Sequence, residues 1–72
     1  MKKGIYRHFK GNKYELIGIA TNSETLEKMA VYKALYGTGE LWVRPFSMWN
    51  ETVEYEGRRV LRFKYIGETE NQ

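Results

Sequence analysis

Apolar and polar positions alternate along most of the chain in short runs broken by polar, glycine-containing turns, and that pattern predicts strands. Gly4 to Phe9 is rich in β-formers, Lys10-Gly11-Asn12 supplies turn residues, and Lys13 to Ala20 returns as an apolar run. This is the layout of a hairpin. Gly18, inside the second run, marks a bulge or bend of a curling sheet. Val31 to Trp49, VYKALYGTGELWVRPFSMW, holds two aliphatic runs facing each other across Gly37-Thr38-Gly39, and predicts a second hairpin ending at Pro45. Within it Leu41 and Val43 project to one face, taken as the buried one, while Trp42 and Arg44 project to the other. Pro45 has no N–H to give a ladder, so the strand ends there or lies at an edge. Phe46-Ser47-Met48-Trp49 has the length of one helical turn, with Pro45 at its start. That turn, near residues 46–50, sets Phe46 and Trp49 on a common side as a plug. Thr52 to Tyr55, a Glu56-Gly57 turn, and Arg59 to Ile66 form a third hairpin. In its second arm Leu61, Phe63 and Tyr65 share one face and Arg62 and Lys64 the other.

Residues 21–36 carry two patterns. Thr21-Asn22-Ser23-Glu24 fits a capping box, and Leu26, Met29, Ala30, Lys33 and Ala34 follow a helical period up to Gly37. Against a helix from Ser23 to Tyr36, Val31-Tyr32 and Leu35-Tyr36 lean to β structure. A helix there also leaves Leu41 to Arg44 without an adjacent partner. The balance favours a polar turn over 21–28 and a strand over 29–36. The expectation is an all-β fold: a small SH3-like barrel of five to six short antiparallel strands with one short helical turn. Closure removes edges that so short a two-sided sheet leaves exposed. Residues 1–72 form a single domain, with 68–72 a polar, frayed tail.

At 72 residues the chain buries only about 60% of its unfolded surface, so it is marginal but able to fold alone. Large rings, 15% of the residues, are an efficient way to build so small a core. The chain has no cysteine and one histidine, His8, which excludes disulfides, thiolate metal sites and His-cluster zinc sites. Twelve Lys and Arg against nine Glu give +3, a mild pointer to an anionic partner. No apolar run approaches the roughly 18 residues of a membrane span, and Met1 to His8 has no signal-peptide core. A cytoplasmic location is expected.

Four ordered blocks carry a family resemblance: Tyr6-Arg7-His8-Phe9-Lys10-Gly11, Ser23-Glu24-Thr25, Val31-Tyr32-Lys33-Ala34-Leu35-Tyr36-Gly37 and Leu41-Trp42-Val43-Arg44-Pro45. The chain resembles the small bacterial proteins of domain-of-unknown-function family 1653 over nearly its whole length. The resemblance implies a cytoplasmic bacterial protein with an SH3-type barrel, favours the strand over 29–36, and implies no activity. The resemblance also implies His, in many members, where this chain has Asn22, so that if a family site used that imidazole this protein would lack it.

The catalytic inventory is thin, because a nucleophile needs an adjacent base and an orienting group. The chain has no Asp, and a Ser23–His8–Glu24 arrangement requires adjacent Ser and Glu side chains to face one ring. Glu54 and Glu56 share a solvated strand face. Gly37-Thr38-Gly39-Glu40 lacks the Lys-Ser/Thr of a phosphate loop. Glu24 reads first as a cap rather than a base, and His8 as a partly exposed imidazole beside Tyr6. The protein is therefore expected not to be an enzyme and to need no cofactor. The stronger candidate is a surface of Tyr6, His8, Glu24, Tyr32, Tyr36, Trp42, Arg44 and Trp49. Within it Trp42 and Arg44 stand together, with Tyr32 or Tyr36 across from them. Rings beside guanidinium suit unpaired bases, RNA ahead of other nucleic acids. The same equipment suits a proline-rich or methylated-lysine peptide. A third expectation is a small-ligand pocket lined by Tyr6, His8, Tyr36, Trp42 and Arg44. The bland alternative makes both tryptophans core. Partners are nucleic acid or peptide, with no membrane and no metal, and a monomer is favoured over a homodimer.

Overall fold

A computed structural model describes residues 2–68, so most of the expected tail lies outside the described residues. The chain is all-β, with strands β1 (Gly4–His8), β2 (Lys13–Thr21), β3 (Lys28–Ala34), β4 (Leu41–Pro45), β5 (Thr52–Tyr55), β6 (Arg58–Leu61) and β7 (Phe63–Gly67). A 3-10 turn, Phe46–Met48, follows β4 directly. Every pairing is antiparallel. The strands form a five-stranded sheet in the order β4-β3-β2-β1-β7 and a two-stranded ribbon, β5-β6.

The alternative helix from Ser23 to Tyr36 does not form, and the favoured strand does, over Lys28–Ala34 rather than 29–36. Asn22 takes over the capping role inside a loop instead. Its Oδ1 accepts the N–H groups of Glu24 and Thr25, and its own N–H is donated to the Glu27 carbonyl. Leu26 is turned to φ 63, which ends any helical course. The strand then pairs on both sides, Leu16 with Tyr32 and Tyr32 with Trp42. The register shifts between Leu16 and Gly18, the bulge that the glycine announced.

Two expectations need correction. The run Arg59–Ile66 is two strands, not one. At Arg62 the chain leaves its β5 partner and joins β1, and this brings the strand count to seven. Arg62 holds the break: its N–H bonds to the Glu51 carbonyl, its carbonyl accepts the Phe9 N–H, and its guanidinium pairs with Glu51 at 2.9 Å. Leu61 is accordingly exposed while Phe63 is buried. The second correction concerns β4. Leu41 and Val43, taken as buried, are 66% and 60% exposed, and the Trp42–Arg44 face is the one turned to the core. β4 lies at the sheet's edge, and its Leu41 and Val43 face turns to solvent.

The core is a cluster of Tyr6, Leu16, Ala30, Tyr32, Trp49 and Phe63, with Tyr14 and Tyr65 packed against it. Trp49 is fully buried and stacks flat on Phe63, with centroids 4.1 Å apart and planes 6° from parallel. Tyr6 and Tyr32 pack around it at 5.2 and 5.0 Å. The 3-10 turn seats Trp49, whose N–H bonds to the Phe46 carbonyl at 3.0 Å. The plug predicted at 46–50 is this tryptophan, driven in by its large apolar area.

Candidate functional site

The floor built by Phe63 and Tyr32 opens into a concave basin of about 280 Å³, walled by His8, Tyr14, Tyr36, Trp42 and Arg44. Strand register brings these residues together. His8 is opposite Phe63 across β1 and β7, Tyr14 opposite Ala34 across β2 and β3, and Tyr32 opposite Trp42 across β3 and β4. Tyr36 reaches in from the loop after β3, where its hydroxyl lies 2.7 Å from that of Tyr14. Burial, then the Tyr36 hydroxyl, push the Tyr14 phenol up to about 12, so the Tyr14 hydroxyl stays protonated at neutral pH.

Arg44 places its guanidinium carbon 5.7 Å from the Phe63 ring centroid, within cation–π range. Its Nε is buried without a hydrogen-bond partner. Trp42 is 48% exposed, beside it on the wall. His8 packs between the Phe9 and Phe63 rings at 4.5 and 5.2 Å. Its Nδ1 accepts the Lys10 N–H at 3.2 Å, which places the proton of the neutral ring on Nε2. Burial lowers the His8 pKa, and the charges of Arg62, Arg44 and Lys10 lower it further. The imidazole is therefore neutral at pH 7.

Of the eight residues singled out from the sequence, His8, Tyr32, Tyr36, Trp42 and Arg44 converge here. Tyr6 does not. It is buried, and its hydroxyl donates to the Lys2 carbonyl at 2.5 Å. Trp49 lies beneath the basin, supporting Phe63 rather than lining the opening. Glu24 sits in the loop at the far end of β2, about seven strand residues or roughly 23 Å from Tyr14. Asn22 is in that same distant loop. Sequence reasoning missed Tyr14 as a wall residue. Its spacing of two from the buried Leu16 was the available signal, since such residues share a strand face. Phe63 was read as core and is also the floor.

Among the described residues, no cluster of three metal-ligating side chains exists, and the basin lining holds no carboxylate. A cationic ligand such as a methylated lysine would face the Arg44 charge without compensation. A planar group with an anion beside it finds rings for its faces and guanidinium for its charge.

The fold and the basin define a small all-β domain with an aromatic, cationic cavity. The chain belongs to the family described as "Protein of unknown function (DUF1653)", whose model matches residues 4–65. It is similar to the crystal structure of a DUF1653 protein from Bordetella bronchiseptica, with 37% sequence identity and a TM-score of 0.88. That match covers 94% of this chain and 90% of the other. No curated protein matches it.

Proposed function

We propose that this bacterial protein is a non-enzymatic, cytoplasmic binding module. In this reading the fold is an SH3-like barrel, completed by the β5-β6 ribbon that Arg62 ties to the end of β1. The basin takes an unpaired base of single-stranded nucleic acid, RNA ahead of DNA. The observation that carries this is the convergence of Tyr14, Tyr36 and Trp42 with the Arg44 guanidinium around a cavity that has no carboxylate among the described residues. A volume of about 280 Å³ is at the small end of ligand cavities and suits a single ring system. Base stacking on such rings is worth about 1–3 kcal/mol, and the adjacent phosphate is met by Arg. The paired Tyr14 and Tyr36 hydroxyls and the His8 Nε2–H are donors and acceptors for a 2′-hydroxyl, which favours RNA. A binding rather than catalytic role is supported by His8, whose Nδ1 is engaged by backbone rather than oriented by a carboxylate.

Fluorescence titration tests the proposal. Trp42 is half exposed and Trp49 is fully buried, so quenching by short RNA reports on the basin. Quenching at low salt that weakens as salt rises is expected. The absence of any quenching or spectral shift with RNA or DNA oligomers at low salt refutes it. A small planar anion is the second reading, favoured by the modest volume of the basin. It predicts saturation by a mononucleotide with no dependence on strand length.

A further inference from the structure

We propose that a second ring-lined cavity, round the end of β1 from the basin, takes the neighbouring base of the same strand, so that the minimal high-affinity ligand is a dinucleotide lying across His8. This inference rests on the nucleobase reading of the basin. The second cavity, about 350 Å³, lies between β1, β7 and the β5-β6 ribbon and is lined by Arg7, His8, Phe9, Tyr55, Val60, Leu61 and Lys64. His8 belongs to both cavities.

The rings form an unbroken run from one cavity to the other. Tyr55 to Phe9 is 5.2 Å, Phe9 to His8 4.5 Å, His8 to Tyr14 6.2 Å and Tyr14 to Tyr36 5.5 Å. Stacking platforms in series beside positive charge are how proteins hold unpaired strands without reading sequence. The charge is present along the whole run. Lys10 Nζ and the Arg62 guanidinium stand 5.7 and 6.0 Å from the Phe9 centroid, and Arg44 stands over Phe63.

On the outer face of β1, Arg7 lies directly opposite both Lys13 and Lys64. Like charges in such cross-strand positions destabilise a sheet. The ion pair between described residues, Arg62 with Glu51, neutralises none of the three. Arg7 and Lys64 also line the second cavity, whose described lining contains no carboxylate. A row of unneutralised cations beside an apolar, ring-lined cavity suits a base inside and its phosphate outside. The neutral His8, with Nε2–H free of the Lys10 contact, stands where the strand passes from one cavity to the next.

The test compares adenosine 5′-monophosphate, the dinucleotide ApA and a four-adenosine RNA at low salt, read through Trp42 fluorescence of the full chain. For the wild type, ApA is expected to bind at least tenfold more tightly than the mononucleotide, as one added stacked base implies. Tyr55→Ala is expected to abolish most of that gain while leaving mononucleotide affinity unchanged. Lys64→Glu, an exposed substitution that keeps the ring platform, is expected to reduce the same gain and flatten its salt dependence. Circular dichroism confirms that each variant is folded. Mononucleotide binding with no gain for ApA overturns the two-cavity inference and leaves the single-base reading standing. So does a gain that survives both substitutions. No response to any of the three probes overturns the single-base reading, and the inference falls with it.

Discussion

The two tryptophans separate stability from recognition, and replacing each by alanine exposes the difference. A tryptophan side chain buries about 200 Å². At ~25 cal/mol per Å² the fully buried Trp49 contributes about 5 kcal/mol. Its flat stack on Phe63 adds about 1 kcal/mol. A 72-residue domain holds roughly 4 to 11 kcal/mol in total, so Trp49→Ala removes half of that or more. Trp42 is only about half buried, and the same arithmetic gives about 2.5 kcal/mol for Trp42→Ala. That variant remains folded. Urea titrations followed by far-UV circular dichroism measure both losses, with Trp49→Phe as a milder step of about 2 kcal/mol. RNA titration of Trp49→Phe, still reported by Trp42, should stay near wild type. Trp42→Ala should lose at least tenfold in affinity, measured by anisotropy of a labelled strand. Equal stability losses at the two positions, or a Trp42→Ala variant that binds as the wild type does, would refute this division of labour.

Three further outcomes follow from single residues. His8 has a folded-state pKa below its unfolded value of 6.5. The unfolded chain therefore takes up the proton first as pH falls through 6.5, and His8 costs stability from there down to its folded pKa. Urea midpoints of wild type and His8→Gln at pH 7.5 and 5 should diverge accordingly, and parallel profiles contradict the argument. Leu26 stands at φ 63 with its side chain mostly exposed, a conformation costing about 1–2 kcal/mol for leucine. Leu26→Asn should stabilise by about 1 kcal/mol, raising Tm by about 4–8 °C in calorimetry. An unchanged Tm counts against the strained loop. At Gly4, φ is 137 and an added Cβ would meet the Gly67 carbonyl oxygen at 2.6 Å. Gly4→Ala should lose about 2 kcal/mol or more, because backbone must shift on both β1 and β7. A loss below about 0.5 kcal/mol would show that the β1–β7 ladder yields at that point.

Period-two alternation determined the first two hairpins and which residues share a strand face, because neighbouring side chains on a strand must point to opposite faces, and the glycine within β2 marked the bulge at Gly18. It determined that Trp42 and Arg44 travel together, and that Trp49 follows a short turn after Pro45. Alternation does not carry the sign of a face. Leu41 and Val43 are the apolar pair of β4, yet they face outward, since the register sets Trp42 opposite the core residue Tyr32 and the ring cluster draws Trp42 and Arg44 inward. The break at Arg62 is equally silent in the pattern, because Leu61, Phe63 and Tyr65 keep phase across a change of partner. Nor does the pattern choose among six tyrosines. Tyr6 went to the core and Tyr14 to the basin wall because of what each strand's register set opposite them. Local steric rules wrote the strands, and only long-range pairing decided which rings met around a cavity.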